Sequence, residues 1–286
     1  MPRIAYVNGR YVPLAHASVH IEDRGYQFAD GVYEVVPLYR GRLLDEEPHL
    51  DRFDYSLSEL RIAPPMSRSA LKLVLRELVR RNGLADGLLY FQATRGVAPR
   101  DHKFPARIKT AFVATLRRAK PPSAVQIEQG VAVVTVPDIR WQRCDIKSIS
   151  LLPNLLAKQA AAEAGAFEAW MVDGQGRVTE GSSTNAWIVT AGGALVTRDA
   201  SAAILNGITR RRVIALLETE NLRFEERPFT IEEARAAKEA FLTSSSSFVL
   251  PIGRIDGKAV GDGRPGPVAK RLREIYVAAA LETPPL

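Results

Sequence analysis

A proline-rich break near the middle of the chain limits the folds available to it. The segment Lys120-Pro121-Pro122-Ser123 cannot continue a helix or a central strand, because proline lacks a backbone N–H and fixes φ. The chain of 286 residues is also longer than one small core requires. We therefore predict a small N-terminal domain over residues 1–120 and a larger C-terminal domain over residues 121–286.

Short strands and helices are predicted on both sides of this break. β-rich segments predict strands at residues 4–7, 11–13, 32–38, 88–94 and 110–116, and later at 130–136, 168–172, 186–189, 194–197 and 239–244. Helical spacing predicts helices at residues 47–61, 67–81, 154–164, 209–220 and 267–281. Strands and helices do not alternate cleanly, so we predict an α+β class rather than a doubly wound parallel sheet.

Charge and cysteine content favour a protein that binds small molecules, rather than nucleic acid, in a reducing compartment. The net charge is +7, but the basic residues are dispersed and form no stripe interleaved with aromatic residues, so nucleic acid is not an expected partner. The single cysteine, Cys144, excludes an internal disulfide framework, and the four histidines show no paired metal-ligand spacing. No signal segment or membrane-length apolar run is found, so a cytoplasmic location is expected.

One lysine in the second half stands among apolar residues. Lys147 is close in sequence to Ile146, Ile149 and Leu151. An ammonium held against such side chains loses hydration, which favours the neutral amine that attacks a carbonyl carbon. Lys147 is therefore a candidate for Schiff-base chemistry, and the alternative is a surface lysine at the end of a strand.

Other polar segments suit a phosphorylated heterocycle. Asn206-Gly207-Ile208-Thr209 precedes a predicted helix and is either an asparagine cap or a phosphate cradle. The serines at 244–247 follow a predicted strand and are either a linker or hydroxyl donors, with Arg52 as a possible counter-charge. Glu180 is either an exposed surface residue or the partner of the nitrogen of a bound heterocycle. With an amine at Lys147, these groups fit pyridoxal 5′-phosphate (PLP).

Motifs along nearly the whole chain resemble those of the fold-type IV PLP-dependent transaminases, and most closely the branch that acts on D-amino acids. The motifs, in chain order, are Glu22-Asp23-Arg24-Gly25-Tyr26-Gln27-Phe28-Ala29-Asp30-Gly31-Val32-Tyr33-Glu34-Val35-Val36, His49-Leu50-Asp51-Arg52, Tyr90-Phe91-Gln92-Ala93-Thr94-Arg95-Gly96, Arg100-Asp101-His102, Asp138-Ile139-Arg140-Trp141-Gln142-Arg143-Cys144-Asp145-Ile146-Lys147-Ser148, Thr179-Glu180-Gly181-Ser182-Ser183 and Gly207-Ile208-Thr209-Arg210. Two positions depart from the family pattern: Ala29 replaces a common glycine, and Phe248 follows the serines and could reshape the substrate pocket.

The resemblance implies roles for individual residues. Lys147 would form a Schiff base with PLP at the interface of the two domains, and Glu180 would partner the pyridine nitrogen. The phosphate would be held by a set drawn from the same motifs: Arg52, Ile208, Thr209 and Ser245. Tyr33, Arg100 and His102 would hold the substrate carboxylate, the last two from the neighbouring subunit of a homodimer.

The implied reaction is transamination of D-amino acids, of the type in which D-alanine and 2-oxoglutarate give pyruvate and D-glutamate. The alternatives within the same fold are a branched-chain L-amino-acid aminotransferase and an aminodeoxychorismate lyase. The D-amino-acid interpretation depends on the loop that carries Arg100 and His102, because that loop differs in the branched-chain enzymes.

Overall fold

The computed structural model describes residues 3–220 and 222–286 and divides into two compact units. The first unit comprises the described residues up to Lys120 together with Ile146–Ser150 and Leu281–Leu286. The second comprises Pro121–Asp145 and Leu151–Ala280. The chain therefore leaves the first unit within the proline-rich break and later returns to it for the five residues around Lys147.

The first unit contains an antiparallel six-stranded sheet. Its strands are β1 (Ile4–Val7), β2 (Arg10–Pro13), β3 (Gly31–Tyr39), β4 (Arg42–Leu43), β5 (Gly87–Thr94) and β6 (Ala111–Arg118), in the order β2-β1-β6-β5-β3-β4. Its helices are α1 (Arg24–Phe28), α2 (Glu46–Glu59) and α3 (Arg68–Asn82), with a 3-10 turn at Leu14–His16. Phe53 and Leu57 of α2 share one core with Leu75 of α3 and with Phe91 and Phe112 of the sheet. This core fixes α2 beside β3.

The second unit contains a mixed nine-stranded sheet. Its strands are β7 (Val131–Pro137), β8 (Glu168–Val172), β9 (Val178–Gly181), β10 (Asn185–Val189), β11 (Leu195–Thr197), β12 (Phe224–Glu226), β13 (Glu239–Ser244), β14 (Phe248–Ile255) and β15 (Lys258–Ala259). The order is β12-β11-β10-β13-β14-β7-β8-β9, with β15 paired to β14. Its helices are α4 (Ala124–Gln129), α5 (Leu152–Glu163), α6 (Ile208–Leu216), α7 (Ile231–Arg235) and α8 (Pro267–Glu282), and a 3-10 turn spans Leu217–Thr219.

Both faces of the larger sheet are buried. Along β10, Ala186 and Ile188 belong to one hydrophobic cluster, whereas Trp187 and Val189 belong to another. Successive side chains of a strand point to opposite faces, so this alternation means that packed layers cover both sides.

The predicted α+β class is confirmed. Within the described residues, no helix combines the length and the apolar character that crossing a membrane requires.

Ala29 stands in the left-handed region at the end of α1, with φ +54°. This conformation strains a side chain with a Cβ but not glycine. We expect Ala29→Gly to raise the free energy of unfolding by about 0.5–1 kcal/mol. Ala17, whose φ is −75°, is the matched control, and Ala17→Gly should lower stability instead. Urea unfolding of both variants tests this, and equal losses in the two would contradict it.

Candidate functional site

Lys147 lies in a short segment that runs beside β3 in the first unit. The backbone N–H of Tyr33 donates to the Lys147 carbonyl at 3.0 Å, and the N–H of Ile149 donates to the carbonyl of Gly31 at 3.1 Å. On the α2 side, the N–H of Lys147 donates to Oγ of Ser56 at 3.1 Å. The Nζ atom lies 4.3 Å from the centroid of the Tyr33 ring. The segment is therefore fixed by β3 and α2, and its amine lies over an aromatic face.

Tyr33 is itself supported by a second tyrosine. Its ring packs against Tyr90 of β5 with 5.6 Å between the centroids. The Tyr90 hydroxyl donates to Oε1 of Gln92 at 2.6 Å. Burial first, and the neighbouring Tyr33 second, raise the pKa of Tyr90 to about 12. The Tyr90 hydroxyl is therefore a protonated donor at neutral pH.

Arg52 lies one helical turn before Ser56 on α2 and is held by Glu34 of β3. Its Nε and Nη2 atoms donate to the two oxygens of the Glu34 carboxylate at 2.7 and 2.9 Å, and Nδ1 of His49 lies 2.7 Å from the same carboxylate. Burial alone would raise the pKa of Glu34, but Arg52 and then His49 outweigh it and hold that pKa well below its usual value. The ionised Glu34 therefore orients the Arg52 guanidinium in a two-point pairing.

Arg100 and His102 lie on the loop between β5 and β6, and both are exposed. The guanidinium carbon of Arg100 lies 4.5 Å from the centroid of the Phe28 ring, and the His102 ring is 5.5 Å from it. The loop therefore brings these two predicted residues together on one aromatic side chain.

Glu180 is a buried carboxylate on β9 of the second unit. Its oxygens accept hydrogen bonds from the Leu205 N–H and from Nδ2 of Asn185, each at 3.0 Å, and from Nη1 of Arg140. Arg140 also pairs with Asp138 at 2.7 Å. Burial would lower the pKa of Arg140, but Glu180 and Asp138 raise it on balance. The Glu180 carboxylate is consequently fixed in position beside a permanently charged guanidinium.

The N-terminus of α6 lies against Asn185, the residue that also donates to Glu180. The N-cap is Gly207, not the asparagine before it, and no side chain of the described residues caps this end. A Cβ at position 207 would come within 2.0 Å of Oδ1 of Asn185, so only glycine permits this approach. Ile208 and Thr209 are almost fully buried. Because buried backbone N–H groups are nearly always hydrogen-bonded, this helix end is suited to an anion.

Ser245 lies in the turn that joins β13 to β14. Thr243 pairs with Asn185 in the sheet, which places the turn two residues beyond that contact. Oγ of Ser244 accepts from the N–H of Ser247 at 3.1 Å, which fixes the shape of the turn. Asn185 thus links the Glu180 carboxylate, the start of α6 and the strand leading to Ser245.

Phe248 packs against the core of the second unit. It has φ +58°, and its ring lies 5.1 Å from that of Tyr276 in α8. The strand β14 therefore begins with an aromatic residue that is seated on the C-terminal helix.

Several residues that organise the site were not predicted. Glu34 and His49 orient Arg52, Ser56 anchors Lys147, and Arg140 and Asn185 hold Glu180. Each lies within or beside a motif noted in the sequence, but the pairs are separated by up to 91 residues along the chain. Only the folded arrangement shows which side chains meet.

Comparison with known proteins gives the family. The amino-transferase class IV family model matches residues 31–255. The chain is 42% identical over 266 residues to a D-alanine aminotransferase of Bacillus licheniformis, covering 93% of each protein, and 42% identical over 270 residues to one of Staphylococcus haemolyticus, covering 94% and 95%. The branched-chain amino acid aminotransferase of Thermobaculum terrenum, solved in its PLP form, aligns with a TM-score of 0.84 at 25% identity, covering 99% of this chain and 95% of that one. The resemblance seen in the motifs is confirmed, and the chain belongs to the class IV aminotransferases.

Proposed function

We propose that this aminotransferase uses PLP to move the amino group of D-amino acids, of which D-alanine is one, to 2-oxo acids such as 2-oxoglutarate. The observation that carries the proposal is the 42% identity to D-alanine aminotransferases over more than nine-tenths of the chain. The exposed pair of Arg100 and His102 supports it, because the resemblance assigns substrate-carboxylate binding to these residues.

The chemistry of the described side chains fits PLP. Lys147 offers an amine, and the buried start of α6 at Ile208 and Thr209 offers backbone N–H groups to a phosphate. Arg52 would add a positive charge and Ser245 a hydroxyl. Glu180 offers a carboxylate to the ring nitrogen.

PLP, when bound, supplies an aldehyde carbon that carries the amino group and a pyridine ring that accepts electrons. Lys147 would bind that aldehyde through Nζ until a substrate amine displaces it. The freed Nζ would then take the proton from the substrate Cα carbon. The Glu180 carboxylate would hold a proton at the ring nitrogen, and Arg140 and Asn185 would keep the carboxylate in place.

We also propose that the protein is a cytoplasmic homodimer. The exposed face of α5 supports a second copy, because Leu152, Leu155 and Leu156 are each at least 60% exposed on one short helix segment. Exposed large apolar patches of this kind mark protein interfaces. Arg100 and His102 would then reach the substrate of the partner. The single cysteine, Cys144, suits a reducing compartment.

The second candidate is a branched-chain L-amino-acid aminotransferase, which the structural likeness to the Thermobaculum terrenum enzyme favours. Steady-state turnover with 2-oxoglutarate as acceptor distinguishes the two. We expect kcat/KM for D-alanine to exceed that for L-leucine by at least about 100-fold. A site whose donors match the carboxylate position of a D-amino acid leaves those donors unpaired when an L-amino acid binds. Pyruvate formation from D-alanine must require the acceptor.

Two results would contradict the D-amino-acid assignment. Turnover of L-leucine together with no turnover of D-alanine would establish the branched-chain enzyme. Release of pyruvate from aminodeoxychorismate in the absence of any acceptor would establish a lyase of the same fold.

A further inference from the structure

Phe28 is the shared support of the two side chains proposed to bind the substrate carboxylate. Arg100 and His102 come from an exposed loop, where side chains of this length are normally free to adopt many rotamers. Both instead contact the Phe28 ring, at 4.5 and 5.5 Å from its centroid. Phe28 is the last residue of α1, a helix of five residues.

Arg24, at the start of the same helix, ties the loop backbone to this support. Its Nη1 atom donates to the carbonyl of Asp101, the residue between Arg100 and His102, at 2.5 Å. Its guanidinium carbon also lies 4.8 Å from the Phe28 centroid. Arg24 is 3% exposed, so the guanidinium that makes these contacts is itself shielded from solvent.

Asp30 keeps Arg24 in place. Its carboxylate accepts from Nε of Arg24 at 2.8 Å and from Nε and Nη2 of Arg95 at 2.7 and 2.9 Å. Arg95 donates in turn to the carbonyls of Leu60 and Arg61 after α2, at 2.8 and 2.9 Å. The loop is therefore connected to α1, β5 and α2 through charge-assisted, partly buried hydrogen bonds.

Arg100 differs from Arg24 in its partners. Among the residues that the structure describes, no carboxylate lies within ion-pair distance of Arg100, whereas Arg24 is paired with Asp30. The Arg100 donors consequently face solvent while the side chain is restrained by the aromatic ring. A pre-oriented, unneutralised guanidinium beside an imidazole is suited to an incoming carboxylate.

We propose that Phe28 and Arg24 are positioning residues that pre-organise Arg100 and His102 for the carboxylate of the amino-acid substrate. This inference rests on the proposed function, since it assumes that these two side chains bind substrate. Phe28 would act through the ring contacts, and Arg24 through the Asp101 carbonyl. Neither would take part in proton transfer at Lys147.

The test measures kcat and KM for D-alanine, with saturating 2-oxoglutarate, in the PLP-loaded enzyme. Phe28→Leu keeps an apolar side chain but removes the ring, and we expect KM to rise about 10-fold with kcat changed less than about 2-fold. Phe28→Tyr restores the ring and should return KM to within about 2-fold of the parent. Tyr26→Leu is the matched control, because Tyr26 lies on the same helix and is 75% exposed, whereas Arg100 and His102 pack on the Phe28 ring. This variant should change KM by less than about 2-fold.

A double-variant cycle separates positioning from a general loss of structure. In an Arg100→Met background, Phe28→Leu should raise KM by less than about 3-fold, because most of its effect passes through Arg100. An unchanged KM in Phe28→Leu, or the same 10-fold rise in both backgrounds, would overturn the proposal. Absence of D-alanine turnover in the parent enzyme would instead overturn the proposed function, and the positioning role with it.

Discussion

Replacing Lys147 with alanine is expected to lower kcat for D-alanine by about 10,000-fold, because the variant loses the amine that takes the substrate Cα proton. The Lys147 side chain lies over Tyr33, and its backbone N–H, which the substitution retains, makes the contact to Ser56. The fold should therefore be preserved. Coupled assays of pyruvate formation measure the loss, and thermal unfolding checks the fold.

Two lysine variants control this result. Lys147→Arg keeps a positive charge in the same place but removes the nucleophilic amine, so it should be as inactive as the alanine variant. Lys109→Ala removes an exposed lysine of the same unit and should change kcat by less than about 2-fold. Substantial activity in Lys147→Arg would show that charge, and not the amine, is what the reaction needs.

Glu180→Gln is expected to reduce kcat by about 100- to 1,000-fold, because a neutral amide cannot hold a proton at a ring nitrogen as a carboxylate does. The amide has nearly the shape of the carboxylate, and Arg140 retains its pairing with Asp138. The fold around β9 should consequently survive. Steady-state kinetics and the absorption spectrum of the loaded variant measure the effect.

The matched control is Glu225→Gln, which removes a carboxylate of the same unit that is paired with Arg223 and Arg227. We expect less than about a 2-fold change in kcat for this variant, because surface ion pairs contribute little. If Glu180→Gln were as active as Glu225→Gln, the ring-nitrogen role of Glu180 would be wrong.

The fold was predictable where side-chain periodicity was strong. Strands predicted at 4–7 and 11–13 are joined by Asn8 and Gly9, whose φ values of +45° and +98° suit a tight turn of these residue types. The helix predicted at 67–81 is α3, and the Ser67 side chain caps it by accepting from the Ala70 N–H. Strand β14 was missed because Pro251 and Gly253 interrupt its apolar run, although it pairs with β13 and β7 inside the sheet. Helix α4 was missed because it is only six residues long and follows the proline break.

The site was predictable as a set of residue types, but its internal contacts were not. Lys147 could be predicted from the apolar residues next to it in the sequence, and Gly207 from its position just before a predicted helix. The Glu34–Arg52 pairing and the Asn185 link between Glu180 and α6 depend on strand and helix placement, so no local pattern encodes them. The return of the chain to the first unit at Ile146–Ser150 likewise depends on contacts with residues far away in sequence.

The covalent attachment point of the cofactor decides whether Lys147 is the residue that binds PLP. The PLP-loaded protein is treated with borohydride, digested, and mapped by mass spectrometry. We expect one reduced adduct, on Nζ of Lys147, and no adduct in Lys147→Ala. An adduct on a different side chain of the parent protein, or none at all, would contradict it.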